Sequence, residues 1–335
     1  MPIGTDLVLN EQPNPKAVLN DGVQLGQVVA ETARRFNTPL ALAHMDLEVE
    51  KETLLTYLGI PTDQIPIFQF QDMPQDNASA IIEAGFKRGL TPRLQAHIGA
   101  ITYVSQKTNL VPVAMCIGPF SLTTKLLRDP ITPIFMAGTG ASACEDFEIA
   151  RMEKIFSLAM QTVYLSIRAK IQAGAKAVCI AEPAANKVYL SPKQIEKGSD
   201  IFDRYVMNNH RIIRHLLADH GVDLVFHCCG ELTSYMVQQF ATLDPAILSL
   251  GSSRKLWEDA SLVPKSTVLF GNLPSKRFYS DSLISADEVV VLAKNLMDRM
   301  QQTQHPFILG SECDVLSVPG CQQSIQNKIQ AFMTV

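Results

Sequence analysis

The chain lacks any run of about 18 apolar residues, the length needed to cross a bilayer. Its longest charge-free stretches, 109–124 and 130–144, are broken by proline and glycine. It also lacks a basic surplus: 29 Lys and Arg face 33 Asp and Glu, for a net charge of −4, and the cations are scattered. No stripe is available to neutralise phosphates, so neither nucleic acid nor a membrane surface is an expected partner. Seven cysteines form no closely spaced even set, which argues against a disulfide framework. The opening stretch MPIGTDLVLNEQPNP carries Asp6 and Glu11 with no apolar run behind basic residues, so no signal peptide is expected. There is no low-complexity segment, long linker or strict repeat. A cytoplasmic protein in a reducing compartment is the expectation.

What remains is a chain of 335 residues, 47% hydrophobic, with ample material for a large core. Short apolar or β-branched runs alternate with longer helical patterns, as in parallel βα units. The expected strands are 39–45, 65–70, 111–117, 177–181, 223–229, 246–250, 267–270 and 307–310. Eight such units predict a single (β/α)8 TIM barrel. Residues 1–38 are read as an N-terminal extension packing across it, and 39–335 as the barrel. Helix starts are signalled by Thr91 before Pro92, and by capping-box spacing at Ser142/Glu145, Ser191/Gln194 and Ser285/Glu288. Beyond the last of these, Val289, Leu292, Ala293, Leu296 and Met300 define a buried helical face. The stretch 128–141, with the glycine-rich GTGA at its end, reads as a functional loop and lid.

The segment DLVFHCCG closes the fifth expected strand. Strand residues alternate faces, so His227 and Cys229 point one way and Cys228 the other. If Phe226 and Cys228 face the helices, His227 and Cys229 face the barrel mouth, where barrel enzymes place their chemistry. Cys313 follows the eighth expected strand, 84 residues after Cys229, and barrel closure brings it to the same mouth. One imidazole with two thiolates suits Zn2+, and three protein ligands leave a position open. Taken alone, these residues leave a second reading open, that of core His and Cys.

Other features are set aside. His210, His215 and His220 are five apart on one helix and spiral around its axis, so they read as a solvated or partly packed face. Cys116, Cys144, Cys179, Cys228 and Cys321 read as small core residues. His44 and Asp46 share a face at the end of the first strand, and lining the mouth or serving the structure are equal readings.

Several stretches resemble one family: MDLEVEKETLLTYLGI (45–60), IGPFSLTTKLL (117–127), QAGAKAVCIAEPAA (172–185), FHCCGEL (226–232), LFGNLPS (269–275) and FILGSECDVLSVPG (307–320). Together they resemble the uroporphyrinogen decarboxylase superfamily, in its branch of zinc-dependent methylcobalamin:coenzyme M methyltransferases. The His-x-Cys pair with a late cysteine separates that branch from the decarboxylases, which have arginines near residues 39–50 and a histidine near position 313. The resemblance implies zinc on His227, Cys229 and Cys313. It implies methyl transfer from a corrinoid (methylcobalamin on a partner protein) to a thiol such as coenzyme M or homocysteine. Tetrahydrofolate is the alternative acceptor; a decarboxylase or a non-catalytic metal-binding module ranks lower. Glu182 stands where the family has an acidic residue, implying a resting fourth ligand or a substrate contact; a helix cap is the structural alternative. The sequence departs from the family at Gly251, Ser252 and Ser253, where relatives carry an acidic residue. Arg254 and Lys255 follow, so a more anionic or differently placed substrate is expected.

Overall fold

A computed structural model of the chain describes residues 4–335. Three helices lead, α1 (Thr5–Asn10), α2 (Pro15–Val18) and α3 (Gly22–Arg35), followed by strand β1 (Leu40–Leu42). Helices α4 (Val49–Tyr57), α5 (Ala78–Arg88) and α6 (Pro92–Lys107) come next, before β2 (Val111–Ile117). Then α7 (Pro119–Leu126), α8 (Ile131–Gly138) and the long α9 (Phe147–Gln172) lead to β3 (Ala177–Ala181). After α10 (Pro192–Glu196), a π-helical turn (Asp203–Met207) runs into α11 (Asn208–Asp219), and β4 (Asp223–Cys228) follows. The remainder alternates α12 (Ser234–Ala241), β5 (Ile247–Leu250), α13 (Leu256–Asp259), β6 (Val268–Leu273), α14 (Ala286–Thr303), β7 (Phe307–Ser311) and α15 (Gln322–Met333).

The seven strands are parallel and pair in chain order, with β1 and β7 at the edges. Sequential parallel order with every crossover in one direction is the winding of a barrel, not of a doubly wound sheet. The strands alternate as their sequence alternates. Val113, Met115, Cys179, Ala181 and Val225 meet in an inner cluster, while Ala114, Val178, Ile180, Leu224, Phe226 and Cys228 join the cluster under the helices.

Among the described residues, seven strands, not eight, form the sheet. The expected strand at 65–70 is instead a 3-10 turn over Ile65–Ile67, with Phe70 making one isolated bridge to Leu127. Proline at position 66 has no N–H to give a ladder, and its carbonyl accepts from Lys51 Nζ at 3.0 Å. Consequently β1 pairs directly with β2 across three intervening helices. Residues 131–138 of the expected loop are helical (α8): Pro133 falls in the first turn, where no amide is needed, and Gln194 Nε2 donates to Phe135 O at 2.9 Å.

The extension lies over the seam between the two edge strands. Val29 and Ala33 of α3 pack with Ala41 of β1 and Val104 of α6, while Leu7 of α1 packs among Phe278, Val289, Ile325 and Phe332 on the other side. Asp6 Oδ2 accepts from the Ser317 amide at 2.6 Å, joining residues 311 positions apart.

Three start signals act differently from expectation: Ser191 precedes α10 without a side-chain cap, its partner Gln194 bonding Phe135 O instead. Thr91 bonds Thr53 through its hydroxyl (2.9 Å) instead of capping α6, and Ser142 pairs with Glu145 ahead of α9, which Asp146 caps. The Ser285/Glu288 box forms both of its bonds, and Val289, Ala293, Leu296 and Met300 are buried as expected, whereas Leu292 is exposed.

Candidate metal centre

His227 is the fifth residue of β4 and faces the sheet interior, so its ring is fully buried. Its Nδ1 lies 3.0 Å from Ser249 Oγ, on the β5 residue directly opposite in the ladder, and its Nε2 has no hydrogen-bond partner among the described residues. With the Nδ1 proton donated to Ser249, Nε2 presents its lone pair. Burial pushes the imidazole pKa down, which keeps the ring neutral.

Cys229 follows at the strand end, and Cys313 stands two residues beyond β7. One donor atom from each of His227, Cys229 and Cys313 lies within 4.8 Å of the others. The Cys313 thiol donates to Cys229, and that bond, with help from the Lys276 ammonium, holds Cys229 down at about 6 against the effect of burial. Donating to Cys229, together with burial, pushes Cys313 up to about 12. A buried imidazole beside two cysteine sulfurs is a donor set that fits a borderline-soft metal such as zinc.

Close backbone packing builds the surround. A Cβ on Gly251 would meet the Cys229 carbonyl at 2.6 Å, so only glycine lets β5 pass this close to the second cysteine. Where the sequence shows no carboxylate, at Ser252, one arrives from β7. Glu312 accepts from the Ser252 amide at 3.1 Å and from its hydroxyl at 2.7 Å. Arg254 is taken up by the buried Asp259 and the Leu232 carbonyl, and Lys255 pairs with Glu258 at 3.0 Å. Arg254 is therefore held within the fold, whereas Lys255 stays at the surface in an exposed pair. The cation at the centre is Lys276, whose charge is reinforced by Cys229 and Glu312 even though burial opposes it.

Glu182 is not among the clustered donors. Its side chain is fully buried on the outer, helix-facing side of β3, accepting from the amides of Ser121 (2.5 Å) and Phe120 (3.3 Å) and lying 2.8 Å from His210 Nε2. It thus caps α7 rather than the helix after its own strand, and a Cβ on Gly118 would collide with its carboxylate. The same alternation that aims His227 and Cys229 inward aims Glu182 outward, following Val178 and Ile180. His210, set aside in the sequence as a solvated or partly packed face, is the buried partner of this carboxylate; His215 and His220 are exposed. Cys116, Cys179 and Cys228 are core residues as expected, whereas Cys144 is exposed and Cys321 half-buried.

A singly wound parallel sheet carrying a His–Cys–Cys cluster at its carboxyl end defines a barrel-like α/β protein with a candidate metal centre. Comparison with known proteins narrows this further. The chain belongs to the uroporphyrinogen decarboxylase (URO-D) family, whose model matches residues 17–322. A comparison with curated protein sequences gives no match. Among solved structures, the chain is similar to a methyltransferase from Methanosarcina mazei, at 15% identity and a TM-score of 0.68, over 95% of this chain and 86% of that one. At that identity the likeness shows the fold alone. No helix among the described residues is long and apolar enough to cross a membrane.

Proposed function

We propose that the chain is a zinc-dependent methyltransferase that moves a methyl group from a corrinoid, carried by a partner protein, to a thiol. The observation that carries this reading is the convergence of His227, Cys229 and Cys313 at the carboxyl ends of β4 and β7. Three protein donors leave one tetrahedral position for substrate, as catalytic sites do. Membership of the URO-D family and the fold likeness to a methyltransferase support the same reading. A porphyrin substrate is disfavoured: the stretch after β1 offers His44, Asp46, Glu48, Glu50 and Glu52, and the nearby Arg93 is already held by Asp46 and Glu52.

His227, Cys229 and Cys313 would hold the zinc, which supplies the Lewis acidity that turns an acceptor thiol into a thiolate. The two cysteines bring two negative charges, so an added acceptor sulfur leaves the site with one surplus negative charge. That surplus keeps the sulfur nucleophilic toward the methyl group. Lys276, beside Cys229, tempers the repulsion an incoming thiolate meets, and Ser249 fixes the His227 tautomer. No general base at the methyl group is needed. Glu182 serves as a positioning residue, tying β3, α7 and α11 together behind the site.

The test is transfer from methylcobalamin to a panel of coenzyme M, homocysteine, simple thiols and tetrahydrofolate. Zinc-loaded protein should demethylate methylcobalamin with a thiol. Mixing it with that thiol alone should release close to one proton per site, because free thiols titrate near 8.5 and are mostly protonated at neutral pH. Methyl transfer to tetrahydrofolate alone would replace the thiol reading with a pterin one, and no transfer to any acceptor would leave a non-catalytic metal protein.

The outer support of the site gives a further expected outcome. Ser249→Ala should weaken zinc binding by about 10–100-fold, the usual effect of losing a group that orients a ligating histidine. Competition with a chromogenic chelator measures this; unchanged affinity would mean that the hydroxyl does not set the tautomer.

A further inference from the structure

A second cluster of donors lies beyond the carboxyl end of β1, at the same end of the sheet as the His–Cys–Cys centre but built from other residues. Beyond β1 the chain runs through His44 and Asp46, and α6 lays His97 beside them. One donor atom from each of the three falls within 4.8 Å of the others, and all three residues are buried. His97 is 2% exposed, and its Nε2 stands 3.6 Å from Asp46 Oδ2, beyond hydrogen-bond length, with no other partner. His44 Nδ1 is likewise buried and unpartnered, while Nε2 of the same ring lies 3.3 Å from Asp6 Oδ1. Buried imidazole nitrogens are normally satisfied, and two orphans beside one carboxylate call for a shared partner.

We propose that His44, Asp46 and His97 form a second divalent-metal site, which takes zinc. Two imidazoles and a carboxylate suit zinc and its transition-metal neighbours. The Asp6–His44 pair is the outer half of a carboxylate–histidine–metal arrangement: the carboxylate holds the proton on Nε2 and turns Nδ1 toward the ion. The charges around the cluster favour a cation. Asp6, Asp46, Glu52 and the buried Asp314 are all carboxyl groups, and Arg93, bonded to Asp46 Oδ2 at 2.5 Å and to Glu52 at 3.0 Å, is the cation set against them. The nearby Lys170 and Glu50 neutralise each other. Asp46 then bridges the guanidinium and the ion, a common arrangement for a ligating carboxylate. Because all three donors are buried, the ion would tie the end of β1 to α6, and it shares no ligand with the His–Cys–Cys centre. This inference stands whether or not the chain transfers methyl groups.

Counting metal in the whole protein tests the proposal. After zinc saturation and gel filtration, the wild type should carry two ions per chain, and Cys313→Ala and His97→Ala one each. Cobalt(II) tells the sites apart: the first gives a sulfur-to-metal charge-transfer band, and the second adds visible ligand-field bands without it. His97→Ala should keep the charge-transfer band and lose the second set. Asp6→Asn, a milder change, should weaken the second cobalt equivalent by about 10–100-fold. One ion in the wild type and none in Cys313→Ala overturns the proposal, with water then bridging the orphan nitrogens. A second equivalent that persists in His97→Ala, or that Asp6→Asn leaves unmoved, is an adventitious ion and overturns it equally.

Discussion

Cys313→Ala should empty the His–Cys–Cys centre of zinc and abolish thiol methylation. Loss of a group that only orients a ligand costs about 10–100-fold in affinity or activity, so loss of one of three ligands should exceed about 100-fold in both. Cys228→Ala is the matched control. Cys228 points away from the centre, its sulfur 3.7 Å from the Ala185 carbonyl among the helices, and its zinc and turnover should stay at wild-type levels. Metal analysis and the methylcobalamin assay read both variants. Equal zinc loss in the two would mean that the facing of β4 is reversed and that the sulfur ligands are misassigned.

A second large effect lies away from the chemistry. Lys170 on α9 and Glu50 on α4 meet at 2.5 Å, each 1% exposed, and Ser166 also donates to Glu50 at 2.8 Å. Lys170→Met leaves a carboxylate buried without its cation, which costs about 3–5 kcal/mol. Against a total stability of about 5–15 kcal/mol, that is a large fraction. Thermal melts should show a fall of about 5–15 °C. Replacing both partners, Glu50→Leu with Lys170→Met, should recover most of the loss, because two well-packed apolar side chains remove the stranded charge. A single variant melting within about 1 °C of wild type would show that the pair is not an ion pair. The same pair makes the fold acid-sensitive. Burial alone would raise the Glu50 pKa, but the Lys170 charge and the bonds from Lys170 and Ser166 hold it below its ordinary 4.5. A carboxyl depressed in the folded state contributes stability above its unfolded pKa, and that contribution drains away as pH falls through the lower, folded value.

The strands were legible wherever period-two patterning was backed by continuous apolar runs, as at Val111–Ile117 and Ala177–Ala181, where observed and expected bounds coincide. The stretch at 65–70 has the apolar content of a strand, yet proline inside it withholds a ladder donor, and composition outweighed that signal. Period two also made the meeting of His227 and Cys229 legible, and parallel winding brought Cys313 to them. Applied to Glu182, the same alternation places it behind β3. The burial of His210 is not legible from spacing within one helix, which says nothing about the strand that helix covers. Glu312 against Ser252, and Lys276 beside Cys229, had no local signal. Each joins residues that only the curl of the sheet makes neighbours.

The bond from the Ser317 amide to Asp6 sets a timetable for the molecule's birth. A ribosome adding about 5–20 residues per second needs on the order of 15–60 s to reach that serine after the aspartate has emerged. Until then α1 has no partner across the seam, and the apolar faces destined for Phe278, Ile325 and Phe332 stay open to solvent. Cys229 waits too, for the 84 residues to Cys313. The nascent chain thus passes through a period in which apolar faces are uncovered and Cys229 is without its neighbour, a period that holdase chaperones are suited to bridge.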